Sequence, residues 1–285
     1  MKVVVTGGSG KVGRAVVRDL LEHGHEVLNV DRVAPDPAKS APAPFLPADL
    51  TDYGEALEAL SASEVLPGVE AVVHLAAVPS PFHATPDVTF STNIRSTHTV
   101  FSAAVALGLK RVVWASSETT LGLPFDDEPP DYAPVDESHP LRPQSSYALS
   151  KVLGEEMARQ FSRWSGIPFI GLRFSNVMER EDYELFPSYW DDPSLRKWNL
   201  WGYVDDSHAA QSVRQALTVE ASGAESFIIA AADTVMKRPS RELMAEVYPG
   251  VRVDDPLSKH GTLLAIDKAR RVLGYDPAFS WRELF

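Results

Sequence analysis

Cysteine is absent from the 285 residues. Disulfides, thiolate metal sites and cysteine nucleophiles are therefore excluded together. Positive charge is scarce: 27 Lys and Arg stand against 39 Asp and Glu, a formal net charge of −12. An acidic surface repels phosphate backbones, so nucleic acid is not an expected partner. No run approaches the ~20 apolar residues that span a bilayer, so no membrane partner is expected either. Met1 and Lys2 lead directly into the apolar Val3, Val4 and Val5. No leader pattern precedes them, and a cytoplasmic location is the expectation. Eight histidines are scattered without ligand spacing. His23 and His25 flank Gly24 in a turn, His74 ends a strand, and all three read as structural, so no metal is expected.

What is present has the order of an α/β protein. Residues 3–6 form a short β-branched run. Residues 11–23 carry Val12, Val16, Val17, Leu20 and Leu21 at helical spacing. Strand patterns follow at 26–31, 71–76, 111–115, 168–173 and 227–231. Helical patterns fall at 53–60, 88–107, 145–165, 207–217 and 241–247. Such alternation implies right-handed crossovers, a parallel sheet and helices on both of its faces. The fold expected is α/β, a Rossmann-type doubly wound parallel sheet with a small C-terminal substrate lobe. Residues 1–175 are assigned to the dinucleotide-binding domain, to which 204–232 return; 176–203 and 233–285 are assigned to the lobe.

Two stretches resist a single reading. Residues 122–143 are rich in proline and acids, either a solvated surface loop or a flap beside a site. Tyr183, Phe186, Tyr189, Trp190, Trp198, Trp201 and Tyr203 crowd one segment. They are either core or the wall of a substrate pocket.

The sequence Thr6-Gly7-Gly8-Ser9-Gly10-Lys11-Val12-Gly13 follows the first strand and opens the first helix. Gly7 permits a tight turn, Gly10 lets the backbone approach a pyrophosphate, and Gly13 lets the helix pack on the strand. The helix N-terminus then offers unpaired N–H groups to the phosphates. Asp31 ends the second strand, where a carboxylate accepts hydrogen bonds from ribose hydroxyls. It would repel a 2′-phosphate, which favours NAD over NADP, although Arg32 beside it could accommodate that phosphate. Asp49 is read either as an adenine contact or as a cap for the helix at 53.

Tyr147 and Lys151 stand one helical turn apart on one face. A free phenol has a pKa near ~10 and is a poor base at neutral pH. A neighbouring ammonium favours the phenolate and is expected to lower that pKa.

In company with these residues come His74-Leu-Ala-Ala77, Asn93, Ala115-Ser-Ser117, Pro143-Gln-Ser-Ser-Tyr-Ala-Leu-Ser-Lys151, Leu172-Arg-Phe-Ser-Asn176 and the tail from Asp267 to Tyr275. The combination resembles the extended short-chain dehydrogenases/reductases, of the NAD-dependent epimerase/dehydratase group, over nearly the whole chain. The resemblance implies an NAD-dependent enzyme in which Tyr147 exchanges a proton with a substrate hydroxyl. Lys151 would hold the nicotinamide ribose and tune Tyr147. Ser117 rather than Ser116 would bind the substrate oxygen, and Asn176 would contact substrate. Lys11, Val12, Leu50, Leu75, Ala76, Ala77 and Asn93 join the expected cofactor set. Ser80, Glu118 and Arg180 join the expected substrate set. A homodimer is implied, pairing through the helices at 88–107 and 145–165.

The resemblance divides over substrate. Nucleotide-sugar epimerases of this group carry an arginine where this chain has Trp201, ahead of Tyr203-Val204. Loss of that charged fork argues against a bound diphosphate. The layout is more similar to uronate dehydrogenases, which oxidise a free sugar acid. Glu118 departs from their pattern and would repel a carboxylate. The expected activity is hydride transfer between NAD and a secondary alcohol of a sugar or sugar acid. The alternatives are an epimerase or dehydratase that retains NAD, and a non-enzymatic dinucleotide sensor.

Overall fold

The computed structural model describes every residue except Ser63. Its centre is a seven-stranded sheet in which every pairing is parallel. In chain order the strands are β1 (Lys2–Thr6), β2 (Glu26–Asp31), β3 (Phe45–Pro47), β4 (Ala71–His74), β5 (Arg111–Ser117), β7 (Phe169–Phe174) and β10 (Ala224–Ile229), with β6 (Tyr132–Ala133) outside the sheet. Their spatial order is β10-β7-β5-β4-β1-β2-β3. The chain therefore winds outward one way from β1 and the other way from β4. A crevice opens at such a reversal, beyond the carboxyl ends of the strands.

Side chains alternate across the sheet with period two. Val3, Val5, Val73 and Val113 enter one core, and Val4, Val72 and Val112 the other. The first core is covered by α1 (Lys11–Glu22) and α5 (Asp206–Thr218). The second is covered by α2 (Tyr53–Ser61), α3 (Pro86–Ala106) and α4 (Ser146–Ser165). Burial on both faces explains why the central strands read as unbroken apolar runs.

The remaining segments are short. β8 (Val177–Met178) pairs with β9 (Val204–Asp205), and β6 pairs with β11 (Arg252–Val253). Two 3₁₀ segments, Arg180–Tyr189 and Pro193–Asn199, join α6 (Ser240–Val247) and α7 (Asp267–Leu273) around them. Tyr183, Phe186, Trp201, Tyr203 and Trp281 are buried there and belong to the first core. The rings of Phe186 and Trp281 meet edge to face at 5.8 Å. Of the two readings of the aromatic segment, core is what these residues adopt. Within residues 122–143, Leu123, Phe125, Ala133 and Val135 are buried and Glu137 accepts a hydrogen bond from the Ile228 amide at 2.8 Å, while Asp126, Asp127 and Glu128 are exposed. Among the described residues no helix is long and apolar enough to cross a membrane.

Candidate active site

The glycine-rich turn fits together only because side chains are missing. Gly7 has φ +72°, and a Cβ there would lie 2.5 Å from the Ala76 nitrogen. A Cβ on Gly13 would stand 2.1 Å from the Gly7 carbonyl oxygen. Real Cβ atoms do not approach backbone so closely, so the turn, β4 and α1 meet at glycine. At Gly10 a Cβ would meet only the Gly7 oxygen, at 3.3 Å, and would otherwise project into open space. No side chain caps α1 and no acid occupies its first turn, leaving its amides available to an anion.

The turn forms one wall of a cleft of about 590 Å³. Lys11, Val12, Asp31, Arg32, Asp49, Leu50, Leu75, Ala76 and Ala77 line it with Gly7, Gly10 and Gly13. The volume and the polar groups suit a cofactor. The Asp31 carboxylate is set by the Ser9 amide at 3.2 Å and the Val33 amide at 3.3 Å. Lys11 is held from above by Asp182 at 2.6 Å, and Arg14 by Glu179 at 2.6 Å. These two pairs fasten the 177–182 segment to α1. Asp49 does not cap the helix that follows; Asp52 does, accepting from the Glu55 amide. Asp49 instead accepts from the amide and hydroxyl of Thr51, and those bonds hold its carboxyl below the usual range.

Asn93 lies outside the cleft lining. Its amide group is spent on the main chain of Val78, accepting at 2.7 Å and donating at 3.1 Å. It thus pins the chain after β4, a supporting contact rather than a surface for the cofactor. Ser80 is engaged within its own loop, with His83 at 2.7 Å. Arg180 is exposed and has no ion-pair partner among the described residues.

Ser117, Glu118, Tyr147 and Lys151 come together at the end of β5 and the start of α4. Ser145 caps α4 through the Ala148 amide, which places Tyr147 in the first turn and Lys151 in the second. The Lys151 Nζ donates to the Ala115 carbonyl at 2.8 Å and sits 5.7 Å from the centre of the Tyr147 ring. Burial pushes Lys151 down to about 8. Ser117 accepts from the amide and hydroxyl of Thr119. Ser116 is committed elsewhere: it donates to Glu155, which forms a buried two-pronged ion pair with Arg173 at 2.8 Å.

The expected depression of the phenol by Lys151 does not occur. Burial pushes Tyr147 up to about 12; the Ser117 hydroxyl tempers the rise and Glu118 adds to it. Removing water from around the buried ring penalises the charged phenolate, and that effect dominates. His74, buried behind Lys151, is pushed down to about 3 chiefly by burial and stays neutral, bonded to the Thr6 hydroxyl at 2.8 Å.

What surrounds Glu118 is set by segments distant from it in the chain. The carboxyl is 3% exposed, and Asn199 donates to it at 3.2 Å. Burial pushes it up to about 7, while Ser175, Asn199, Arg196 and the Asn176 amide restrain it. Trp201 is wholly buried, its indole N–H donating to the Pro193 carbonyl at 2.7 Å.

A model of the NAD dependent epimerase/dehydratase family matches residues 3–189, well over half of the chain. The chain belongs to that family. That family is described as NAD dependent. A putative UDP-glucose 4-epimerase of Methanocaldococcus jannaschii is 31% identical over 63% of this chain and 57% of its own. The uronate dehydrogenase of Pseudomonas putida is 31% identical over 61% of this chain and 60% of its own. This family member thus spans little more than half the length of those relatives. An NAD-dependent glucose-6-phosphate dehydrogenase of Haloferax volcanii is 27% identical over 96% of this chain and 92% of its own. In fold, the UDP-glucose 4-epimerase of Thermotoga maritima superposes with a TM-score of 0.76 at 22% identity, covering 99% of this chain and 96% of that one.

Proposed function

We propose that this family member is a dehydrogenase of a free sugar or sugar acid, oxidising one carbinol with NAD. The observation that carries the reading is the buried grouping of Ser117, Tyr147 and Lys151 beside a cleft that glycine shapes for a dinucleotide. Gly7, Gly10, Gly13 and the α1 amides hold the pyrophosphate. Asp31 takes the adenosine ribose hydroxyls, and Lys151 takes the nicotinamide ribose. Bound NAD supplies the hydride acceptor. Ser117 and Tyr147 grip the substrate oxygen, and Tyr147 moves its proton. A phenol near 12 keeps its proton at neutral pH. Tyr147 is therefore a ready acid in the carbonyl-reducing direction, and as a base it depends on Lys151 remaining charged. Residues 1–175 with 204–232 act as the dinucleotide-binding part, the rest as the substrate lobe, in a cytoplasmic homodimer.

Free sugars are favoured over nucleotide sugars by Trp201, an uncharged core residue where a diphosphate would need a cationic fork. The near full-length match to a sugar-phosphate dehydrogenase supports net oxidation. Epimerisation with retained NAD is the second reading, supported by the epimerases among the relatives. The test is NADH formation with NAD and a panel of aldoses, polyols and uronic acids. Sustained NADH from any of them is the expected result. Silence across the panel, with isomerisation of a nucleotide sugar, would replace the dehydrogenase with the epimerase. Tyr147→Phe should abolish turnover and leave the NAD dissociation constant within about twofold, since the lost hydroxyl touches substrate rather than cofactor.

A further inference from the structure

Buried polar atoms that lack a hydrogen bond of good geometry gather in one corner of the protein. They are Glu118 Oε2, Ser175 Oγ, Asn199 Oδ1 and Arg196 Nε. The four residues are 3%, 3%, 0% and 5% exposed. Buried polar groups are normally satisfied, and a cluster of exceptions calls for a reason. Geometry ties the group together. Asn199 donates to Glu118 Oε1 at 3.2 Å and to the Gly202 carbonyl at 2.9 Å. Arg196 donates to the same carbonyl at 3.0 Å. A Cβ built on Gly202 would lie 2.7 Å from Leu264 Cδ1 and 3.0 Å from Ser175 Oγ, so only glycine fits where these side chains converge. Glu118 follows Ser117 in the chain and lies near enough to Tyr147 to disfavour its phenolate. The corner therefore adjoins the reacting groups.

The free atoms have a character. Glu118 Oε2 and Asn199 Oδ1 are acceptors, and Ser175 Oγ can accept as well as donate. The one cationic group is largely occupied: the Arg196 guanidinium lies against the Tyr189 ring at 5.2 Å and the Trp198 ring at 5.4 Å. A ligand that brings O–H donors satisfies this corner. A ligand that brings a carboxylate or phosphate adds acceptors to acceptors, next to a carboxyl.

We propose that Glu118, Asn199 and Ser175 form the subsite that selects the substrate, binding hydroxyls of a neutral aldose or polyol and rejecting sugar acids and sugar phosphates. Glu118 is the specificity-determining residue. This rests on the sugar-oxidising reading above and narrows it.

The test is binding of sugars to the NADH-loaded protein, followed by nicotinamide fluorescence, with turnover measured separately. The probes are glucose and galactose against glucuronate and galacturonate. The wild type should bind a neutral sugar at least tenfold more tightly than its acid. Glu118→Gln keeps the shape and removes the charged acceptor. It should weaken the neutral sugar roughly tenfold to a hundredfold, the size expected for a hydrogen bond to a charged group. The groups facing Glu118 that carry or can gain charge are Arg196 and Tyr147, with Asn199 and Ser175 as its polar neighbours. Between pH 6 and 8 neutral-sugar affinity should rise in the wild type as the carboxyl ionises, and stay flat in Glu118→Gln. Ser175→Ala is the second variant. It should weaken neutral sugars a few-fold, because it deletes the hydroxyl that faces the Glu118 carboxyl. Preference for the acids, no binding of either neutral sugar, or unchanged affinities in both variants would overturn the subsite. Glu118-dependent binding without any turnover would uphold the subsite and count against the dehydrogenase alone.

Discussion

At Glu118 a carboxyl that ordinarily titrates at 4.5 is moved to about 7, chiefly by burial. The folded chain therefore holds a proton there between those two values while the unfolded chain has lost it. Its contribution to stability is fully present below about pH 4.5 and is lost as pH rises through about 7. The shift corresponds to roughly 3 kcal/mol on the usual conversion of a pKa unit to free energy. Glu118→Gln cannot ionise and escapes that loss. Thermal unfolding of both proteins at pH 5 and pH 8 should show the variant close to wild type at the lower pH and more stable at the higher. A wild type that melts equally at both, in step with the variant, would mean that Glu118 is ionised without penalty and that its surroundings have been misjudged. Such a price in stability is characteristic of groups retained for binding rather than for folding. Tyr147 and Lys151 follow the same logic, since each is moved from its ordinary value in the direction that burial dictates.

Among the elements, the contact of α1 with the turn after β1 is the tightest made by glycine. Alanine is the better helix former by up to about 1 kcal/mol. At position 13 it should nevertheless destabilise, because its Cβ would have to displace the Gly7 carbonyl. Gly13→Ala is expected to lose about 1–3 kcal/mol of stability, the usual cost of overpacking. It should also weaken NAD at least tenfold by shifting the amides that face the cleft. Calorimetric melting and NAD titration check both effects, and an unchanged NAD affinity would remove the turn from the cofactor site. This turn was legible in the sequence because strand, glycines and helix are adjacent in the chain. So were β1, β2, β5 and β7, whose apolar runs are buried on both faces, and the Tyr147–Lys151 pair, set by a single helical turn. Elements held by distant partners were not. β3 is three residues within a stretch rich in proline and alanine, and exists through its pairing with β2. β6 and β11 support each other across more than a hundred residues. Arg196 and Asn199 come from one 3₁₀ segment and Ser175 from just after β7, all distant from Glu118 in the chain, so no spacing relative to Glu118 marks them.

For the molecule as a whole, a net charge of −12 makes two copies repel unless an apolar surface brings them together. α4 offers such a surface. Its inner side meets α3 and carries Tyr147 and Lys151. On its outer side Leu149, Leu153 and Trp164 are 40%, 38% and 57% exposed. At 3.6 residues per turn these three fall within about 60° of one another, a single stripe along the helix. A stripe on one long helix can meet its own copy across a two-fold axis, which needs only self-complementarity. The protein should therefore sediment at twice the chain mass of 31.2 kDa. Leu153→Glu adds a negative charge to each copy at the middle of the stripe and should yield the single chain, with its far-ultraviolet circular dichroism unchanged. A wild type that sediments as one chain at micromolar concentration would refute the pairing. The helix buried by pairing is the helix that positions Tyr147 and Lys151. Separation of the copies should accordingly lower turnover while leaving the NAD cleft, built on β1 and α1, at its wild-type affinity.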